Sequence, residues 1–324
     1  MEADSYMGLF FALITTLSWS IGIFPFTEAS RRLGINSLNH FRLFLAVILL
    51  FVTAFLINHS EFINLFNEQY VQAWIWFGLS GVVGLALGDY FYFGLYAIMG
   101  ARIGSIFSTL SPAAALVTSY FFVDERINFI GVIGIFLTMA GVIFISISKS
   151  ENLSAEEGRY GSDVKGVLFG VLAAFCQGVG LVLAKKGFVV LEQEGKFIHP
   201  INATFVRMVV SLATLILITT IFRKWKEVLR PLKSNSAGLK YAAVGTFFGP
   251  VFGVCMSLYT IAVLEATVAQ TIFSLVPVVA ALIARYFYKE KFTLASVIAT
   301  IIAVAGVVLL IRRNEVLECL YKSN

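Results

Sequence analysis

The chain has 324 residues, of which 59% are hydrophobic and only 13% charged, with a mean hydropathy of +0.87. A soluble fold of this length needs far more charge to cover its surface, so lipid must do the covering. The net charge of +5 does not point to nucleic acid, because Lys and Arg sit mostly between apolar runs, as membrane flanks do.

In lipid no water satisfies backbone N–H and C=O groups, so only helices or closed barrels can span. The apolar runs here are continuous and roughly 18–25 residues long, without the alternation of barrel strands. They predict an all-α membrane protein with ten transmembrane helices, near 7–26, 38–57, 74–98, 101–122, 129–147, 164–184, 201–222, 239–263, 266–287 and 294–311. Residues 1–7 are acidic, and no small-residue cleavage site closes the first run, so that run is expected to stay as a span. A hydrophilic stretch over 149–163 reads as a linker between a first repeat, 1–148, and a second, 164–324. A polar segment over 223–240 holds six basic residues around Pro231 and is expected to contact solvent or headgroups, with a short interfacial helix.

The two parts are copies. A shift of 165 residues places Arg42 on Arg207, Gly84 on Gly249, Gly88 on Gly253, Ala101 on Ala266, Pro112 on Pro277 and Glu125 on Glu290. No gap is needed from the second span of each half to the fifth. For the first span the shift is 158, matching Gly8 to Gly166, Phe11 to Phe169 and Gly22 to Gly180. An odd number of crossings per half forces the second copy to insert upside down, which makes an inverted repeat, the plan of many secondary transporters.

These features resemble the drug/metabolite transporter superfamily, specifically its EamA-type ten-span members. The likeness rests on the arginine opening the second span of each half and on a fourth-span pattern. That pattern reads Gly100-Ala101-Arg102, Leu110-Ser111-Pro112 and Asp124-Glu125-Arg126 in the first half. In the second it reads Glu265-Ala266-Thr267, Leu275-Val276-Pro277 and Lys289-Glu290-Lys291. Both halves lack the Gly that usually begins the family's last triplet. The resemblance implies export or exchange of a small metabolite at a cell membrane, with termini in the cytoplasm.

Asp89 is the one acid well inside an apolar run. A charge at the bilayer centre costs roughly 2.5–3.5 kcal/mol on insertion scales, so such a group faces a cavity or a partner. Tyr92 and Tyr96 follow on the same helix face. The stripe suits an amine, an aromatic solute or a coupling proton, or else Asp89 is a structural acid bonded between helices. Trp19 corresponds to Gln177 and Gln270 to Ser105, and each could contact substrate or pack between helices. Under the same shift Asp89 meets Val254, so a charge site there is one-sided.

Other repeated residues read as scaffold. Gly84, Gly88, Gly249 and Gly253 form small-residue stripes that let helices approach closely. Pro112 and Pro277, near mid-span, are expected to kink their helices, with a hinge role as the alternative. Arg42 and Arg207 begin their spans and are expected to reach back to the headgroups. Glu125 and Glu290 read as solvated loop acids or charge clamps at helix ends.

Enzyme chemistry finds little support. Gly78-Leu79-Ser80-Gly81 matches the Gly-x-Ser-Gly pattern of rhomboid-type intramembrane proteases, but a serine nucleophile needs a histidine base. His40, His59 and His199 all lie at span ends or in loops. Cys176, Cys255 and Cys319 are too scattered for a disulfide framework or a metal site. No ligand cluster implies a metal, and no phosphate-binding loop implies ATP drive. A channel would need a selectivity filter, and nothing resembles one. The expected partners are a small-molecule substrate and the bilayer, with no cofactor and no nucleic acid, in a monomer or homodimer. Basic residues are about twice as numerous on the side opposite the termini, which favours termini outside and conflicts with the resemblance.

Overall fold

The computed structural model describes residues 2–148, 164–288 and 294–322; the linker and Glu290 lie outside them. Among the described residues every regular element is helical. In chain order these are α1 (Glu2–Leu33), α2 (Ile35–Ile57), α3 (His59–Asn64), α4 (Val71–Gly81), α5 (Asp89–Phe107), α6 (Ser111–Phe122), α7 (Phe129–Ser148) and α8 (Val164–Gln193). They continue as α9 (Pro200–Ile221), α10 (Trp225–Ser234), α11 (Ser236–Thr246), α12 (Val254–Val263), α13 (Ala266–Phe273), α14 (Val276–Tyr288), α15 (Leu294–Ile311) and α16 (Arg313–Lys322). Among the described residues, seven helical stretches are long and apolar enough to cross a bilayer. The α15–α16 pair, bent by 74°, makes an eighth if counted as one span, and Phe129–Phe144 is a shorter apolar helix. Phe10, Phe44, Phe121 and Phe175 stand exposed on the outside, as lipid-facing side chains do.

Local chemistry explains the helix ends. Gly34, at φ 77°, takes a left-handed turn that costs a glycine little and lets α2 start one residue after α1. Pro200 opens α9, where its missing N–H is harmless, and the His199 ring accepts from the Ile201 N–H at 3.4 Å. Asn235 Oδ1 accepts from the Gly238 N–H at 2.8 Å and starts α11. The basic 223–240 segment does hold a short helix, α10.

Two sequence expectations change here. Helix α5 runs unbroken through 98–101, so the third and fourth predicted spans of the first half are not separated there. The break falls at a 3-10 turn, Ser108–Leu110, and Pro112 lies in the first turn of α6. Pro277 likewise lies in the first turn of α14. Neither proline kinks a helix from its middle; each begins one, where a proline removes no helical hydrogen bond. The second half does break at Leu264 and Glu265, and α13 begins at Ala266.

The packing crosses between the copies. Helix α1 lies against α11, α12, α13 and α14 of the second half, and α8 lies against α4, α5 and α6 of the first. Equivalent helices also pair directly, α2 with α9 and α7 with α15. In the α7–α15 seam a Cβ on Gly141 would sit 2.5 Å from the Ala303 nitrogen, and one on Gly306 would sit 2.5 Å from the Thr138 nitrogen. Those contacts are related by the same 165-residue shift, so the seam is two-fold symmetric at the level of single atoms.

Candidate functional site

The site grows from two π-helical turns. Val82–Gly88 joins α4 to α5, and Phe247–Gly253 joins α11 to α12, at positions separated by 165. A π turn widens the backbone by one residue and frees carbonyls from the regular ladder. In the second half Pro250 accounts for it, since a proline inside a helix cannot donate. In the first half Gly81, Gly84 and Gly88 loosen the same stretch.

Three successive carbonyls of the first π turn accept from side chains. Gly84 accepts from Gln177 Nε2 at 3.2 Å, Leu85 from Arg42 Nη2 at 2.7 Å, and Ala86 from Asn39 Nδ2 at 3.2 Å. Those donors converge on Asp89, the first residue after the turn. Arg42 Nη2 lies 2.7 Å from Asp89 Oδ2, and Gln177 Nε2 donates to Asp89 Oδ1 at 2.6 Å. Asn39 Oδ1 accepts from Arg42 Nε and Nη2 at 2.9 and 2.7 Å. The carboxylate is thus bound by one residue from each half.

This overturns the expectation for the arginines. Arg42 is 1% exposed and Arg207 4%, so neither side chain reaches the headgroups. Arg42 is held by an acid and two carbonyl-type acceptors, which offset the loss of hydration. Arg207 has no hydrogen-bond partner at Nε or Nη1 among the described residues.

A cavity of about 140 Å³ opens beside these groups. Trp19, Asp89, Tyr92, Tyr96, Gln177 and Gln270 all line it, together with Arg42, Phe26, Phe93, Phe273 and Gly249. Tyr92 and Tyr96 pack edge to face at 4.9 Å, Trp19 meets Phe273 in the same way at 5.1 Å, and Phe26 touches Phe93 at 5.1 Å. The Arg42 guanidinium lies over the Phe93 ring at 5.0 Å. The lining comes from both halves, with α1 and the second π turn on one side and α5 and the first π turn on the other. Asn39 is a site residue that the sequence marks only by its spacing of three from Arg42 on α2, at the start of an apolar run.

The glycines serve two purposes. A Cβ on Gly180 would come within 2.8 Å of the Gly84 Cα, so backbones meet there directly. Gly249 and Gly253 instead make room for cavity side chains: a Cβ on Gly249 would meet Phe26 at 2.6 Å, and Gly253 receives the Trp19 ring. Gly88 faces Cys176 and Gln177.

Away from the cavity, Glu125 is buried rather than solvated. Its carboxylate accepts from the Ala266 and Thr267 N–H groups at 2.7 and 3.3 Å and so caps α13 of the other half. Beside it Arg313 binds Glu265 through both oxygens at 2.7 Å. Ser80 donates to the Gly180 carbonyl at 2.5 Å, which gives the Gly-x-Ser-Gly segment a packing role between α4 and α8. Among the described residues no group of His, Cys, Asp and Glu could hold a metal.

A chain of two helical copies enclosing a polar, aromatic cavity between them has the build of a membrane transporter of small solutes. Comparison with family models makes this specific: the EamA-like transporter family matches twice, over residues 6–147 and 164–312, so the chain belongs to that family. A solved structure described only as the crystal structure of a protein shares the fold, with a TM-score of 0.66 at 17% identity over 94% of this chain and 97% of its own. The comparison with curated proteins found no match.

Proposed function

We propose that the protein is a secondary transporter that exports or exchanges a small metabolite across the plasma membrane by alternating access. Its ten spans form two inverted five-helix repeats, 1–148 and 164–324, and the solute binds in the cavity between them. The observation that carries this reading is the cavity's position. It lies between two equivalent π turns, one from each half, where a rocking motion exposes it to one side and then the other. The π turns and the glycine contacts of Gly84 with Gly180 supply the compliant points of that motion, and the α7–α15 seam supplies the fixed one.

Trp19, Tyr92, Tyr96, Gln177 and Gln270 contact the solute, and Asp89 sets the polarity of the site. A coupling proton at Asp89 would have to displace Arg42, so protonation and a change of helix packing would occur together. The termini face the cytoplasm, which a reporter fused after Asn324 tests.

The deciding experiment is transport by the purified full-length chain in liposomes. Uptake or counterflow of a small metabolite is expected without ATP, and Trp19→Ala is expected to lower it. An Asp89→Asn variant whose transport keeps the native rate at every pH would remove Asp89 from coupling. No movement of any solute across a broad metabolite panel would sink the transport reading.

A further inference from the structure

Each half holds one arginine at the same register, and only one of the two is neutralised. Arg42 is met by Asn39, the Leu85 carbonyl and Asp89. A shift of 165 turns those three positions into Thr204, Pro250 and Val254. The Thr204 hydroxyl donates its proton to the Pro200 carbonyl at 2.7 Å, and at neither Nε nor Nη1 does Arg207 find a partner among the described residues. Val254 has no polar side-chain atom where Asp89 carries a carboxylate. The second half holds the cation without the anion.

Among the described residues, Arg207 therefore stands as a buried guanidinium with no carboxylate in ion-pair contact. It cannot shed its proton, because the group stays charged at any working pH. Charges inside a membrane protein pair with another charge or face a cavity. Arg207 faces one: a small space of about 20 Å³ lined by Arg207, Ser257 and Leu181. Trp19, Leu85, Gln177, Val254 and Gln270 line this space and the main cavity alike, so the two lie side by side. The room is that of roughly one water-sized group. Asp89 lies near enough to attract Arg207, but its ion pair, at 2.7 Å, is with Arg42, and its other oxygen accepts from Gln177. Among the described residues two guanidiniums stand against one carboxylate, a surplus of one positive charge at the site.

We infer that the missing carboxylate arrives with the solute: the transported molecule is a small monocarboxylic acid whose carboxylate pairs with Arg207. Its apolar, ring-sized body lies among Trp19, Phe26, Phe93 and Phe273 in the main cavity. This assignment rests on the transport reading above and names its substrate class. A single negative charge cancels the surplus, an ammonium adds to it, and a dianion reverses it. An amine at Asp89, which the sequence pattern suggested, is disfavoured because that carboxylate is already bound by Arg42.

The test uses the purified full-length chain in detergent, with calorimetric titration and thermal unfolding. The probes are benzoate, benzamide, benzylamine and phenyl phosphate, which share one ring and differ in charge. Benzoate is expected to bind at least about tenfold tighter than the others, the effect of one charge-assisted hydrogen bond. Val254→Asp supplies an internal carboxylate and is expected to abolish benzoate binding, while Val254→Asn preserves it. Arg207→Lys keeps the preference for benzoate and Arg207→Met removes it. Without any probe, Arg207→Met is expected to raise the melting temperature, because it removes an unpaired buried charge; a structural arginine would give a fall. Equal or tighter binding of benzamide, benzylamine or phenyl phosphate overturns the inference. So does the absence of binding by all four probes, or benzoate binding unchanged in Val254→Asp. If benzylamine binds and is moved in liposomes, the substrate class falls and transport stands. If benzoate binds through Arg207 but no solute is moved, transport falls and the charge assignment stands.

Discussion

The α7–α15 seam and the central cavity are built from the same duplicated sequence and treat it in opposite ways. In the seam, Gly141 meets Ala303 and Gly306 meets Thr138, so equivalent residues make equivalent contacts across the two-fold. In the centre, α1 and α8 cross into the opposite halves, and their equivalent positions face different neighbours: Trp19 packs on Phe273 while Gln177 binds Asp89. Across the two-fold seam the same two positions meet twice, so a change in one copy disturbs its contact with the other. A residue that has crossed over is free of that constraint. The cavity copies part at Asp89 and Val254 and at Trp19 and Gln177, while the seam keeps its glycine in both copies, as Gly141 and Gly306.

Substitutions can break or sharpen this contrast. The largest effect is expected at the centre, where Arg42→Met would leave Asp89 buried without its partner and cost about 3–5 kcal/mol in denaturant unfolding. The matching change at Arg207 carries no such penalty, and comparable losses from both would refute the asymmetry. In the seam, Gly141→Ala and Gly306→Ala should each cost about 1–3 kcal/mol by overpacking, and by similar amounts. Unequal losses would show that the seam is not symmetric. The equivalent pair Gly180 and Gly22 should behave differently: a Cβ meets the Gly84 backbone at 2.8 Å from Gly180 but nothing nearer than 3.6 Å from Gly22. Gly180→Ala is expected to destabilise, and Gly22→Ala to be neutral or stabilising by up to about 1 kcal/mol.

Between the halves, Glu125→Gln weakens the carboxylate cap of α13 and should cost about 1–2 kcal/mol, read as a lowered melting temperature. The smallest effect concerns pH. Burial lowers the pKa of His199 below its ordinary 6.5, so the folded state prefers the neutral ring that caps α9. The native state then binds fewer protons than the unfolded chain as pH falls below 6.5, and stability drops in that window. His199→Asn keeps a capping side chain and should flatten the dependence; an unchanged slope would assign it to another group.

Much of the fold is legible in the residues. Apolar runs of membrane length predict helices, and the constant shift predicts two copies, because hydropathy and register are one-dimensional properties. The polar and aromatic residues chosen within those runs, from Trp19 to Gln270, all reach one cavity, since a polar side chain in lipid has few other places to go. Pro112 begins a helix rather than kinking one for a local reason: a 3-10 turn before it ends the preceding helix, and composition does not reveal that turn. Glu125 clamps a helix end, one of the two roles its sequence setting allows, but the helix it clamps, α13, starts 141 residues away and so is not legible in the sequence.

By itself, the sequence determined the solvent, the helical class, the duplication and the places where the copies part, including the exchange of Asp89 for Val254. It could not say which arginine would be answered. That was decided by the crossing of α8 into the first half, which brings Gln177 to Asp89, and by the first π turn, which turns three carbonyls toward Asn39, Arg42 and Gln177. A hydrogen bond or an ion pair depends on distances of a few ångströms between residues far apart in the chain, and only the packed structure sets those distances.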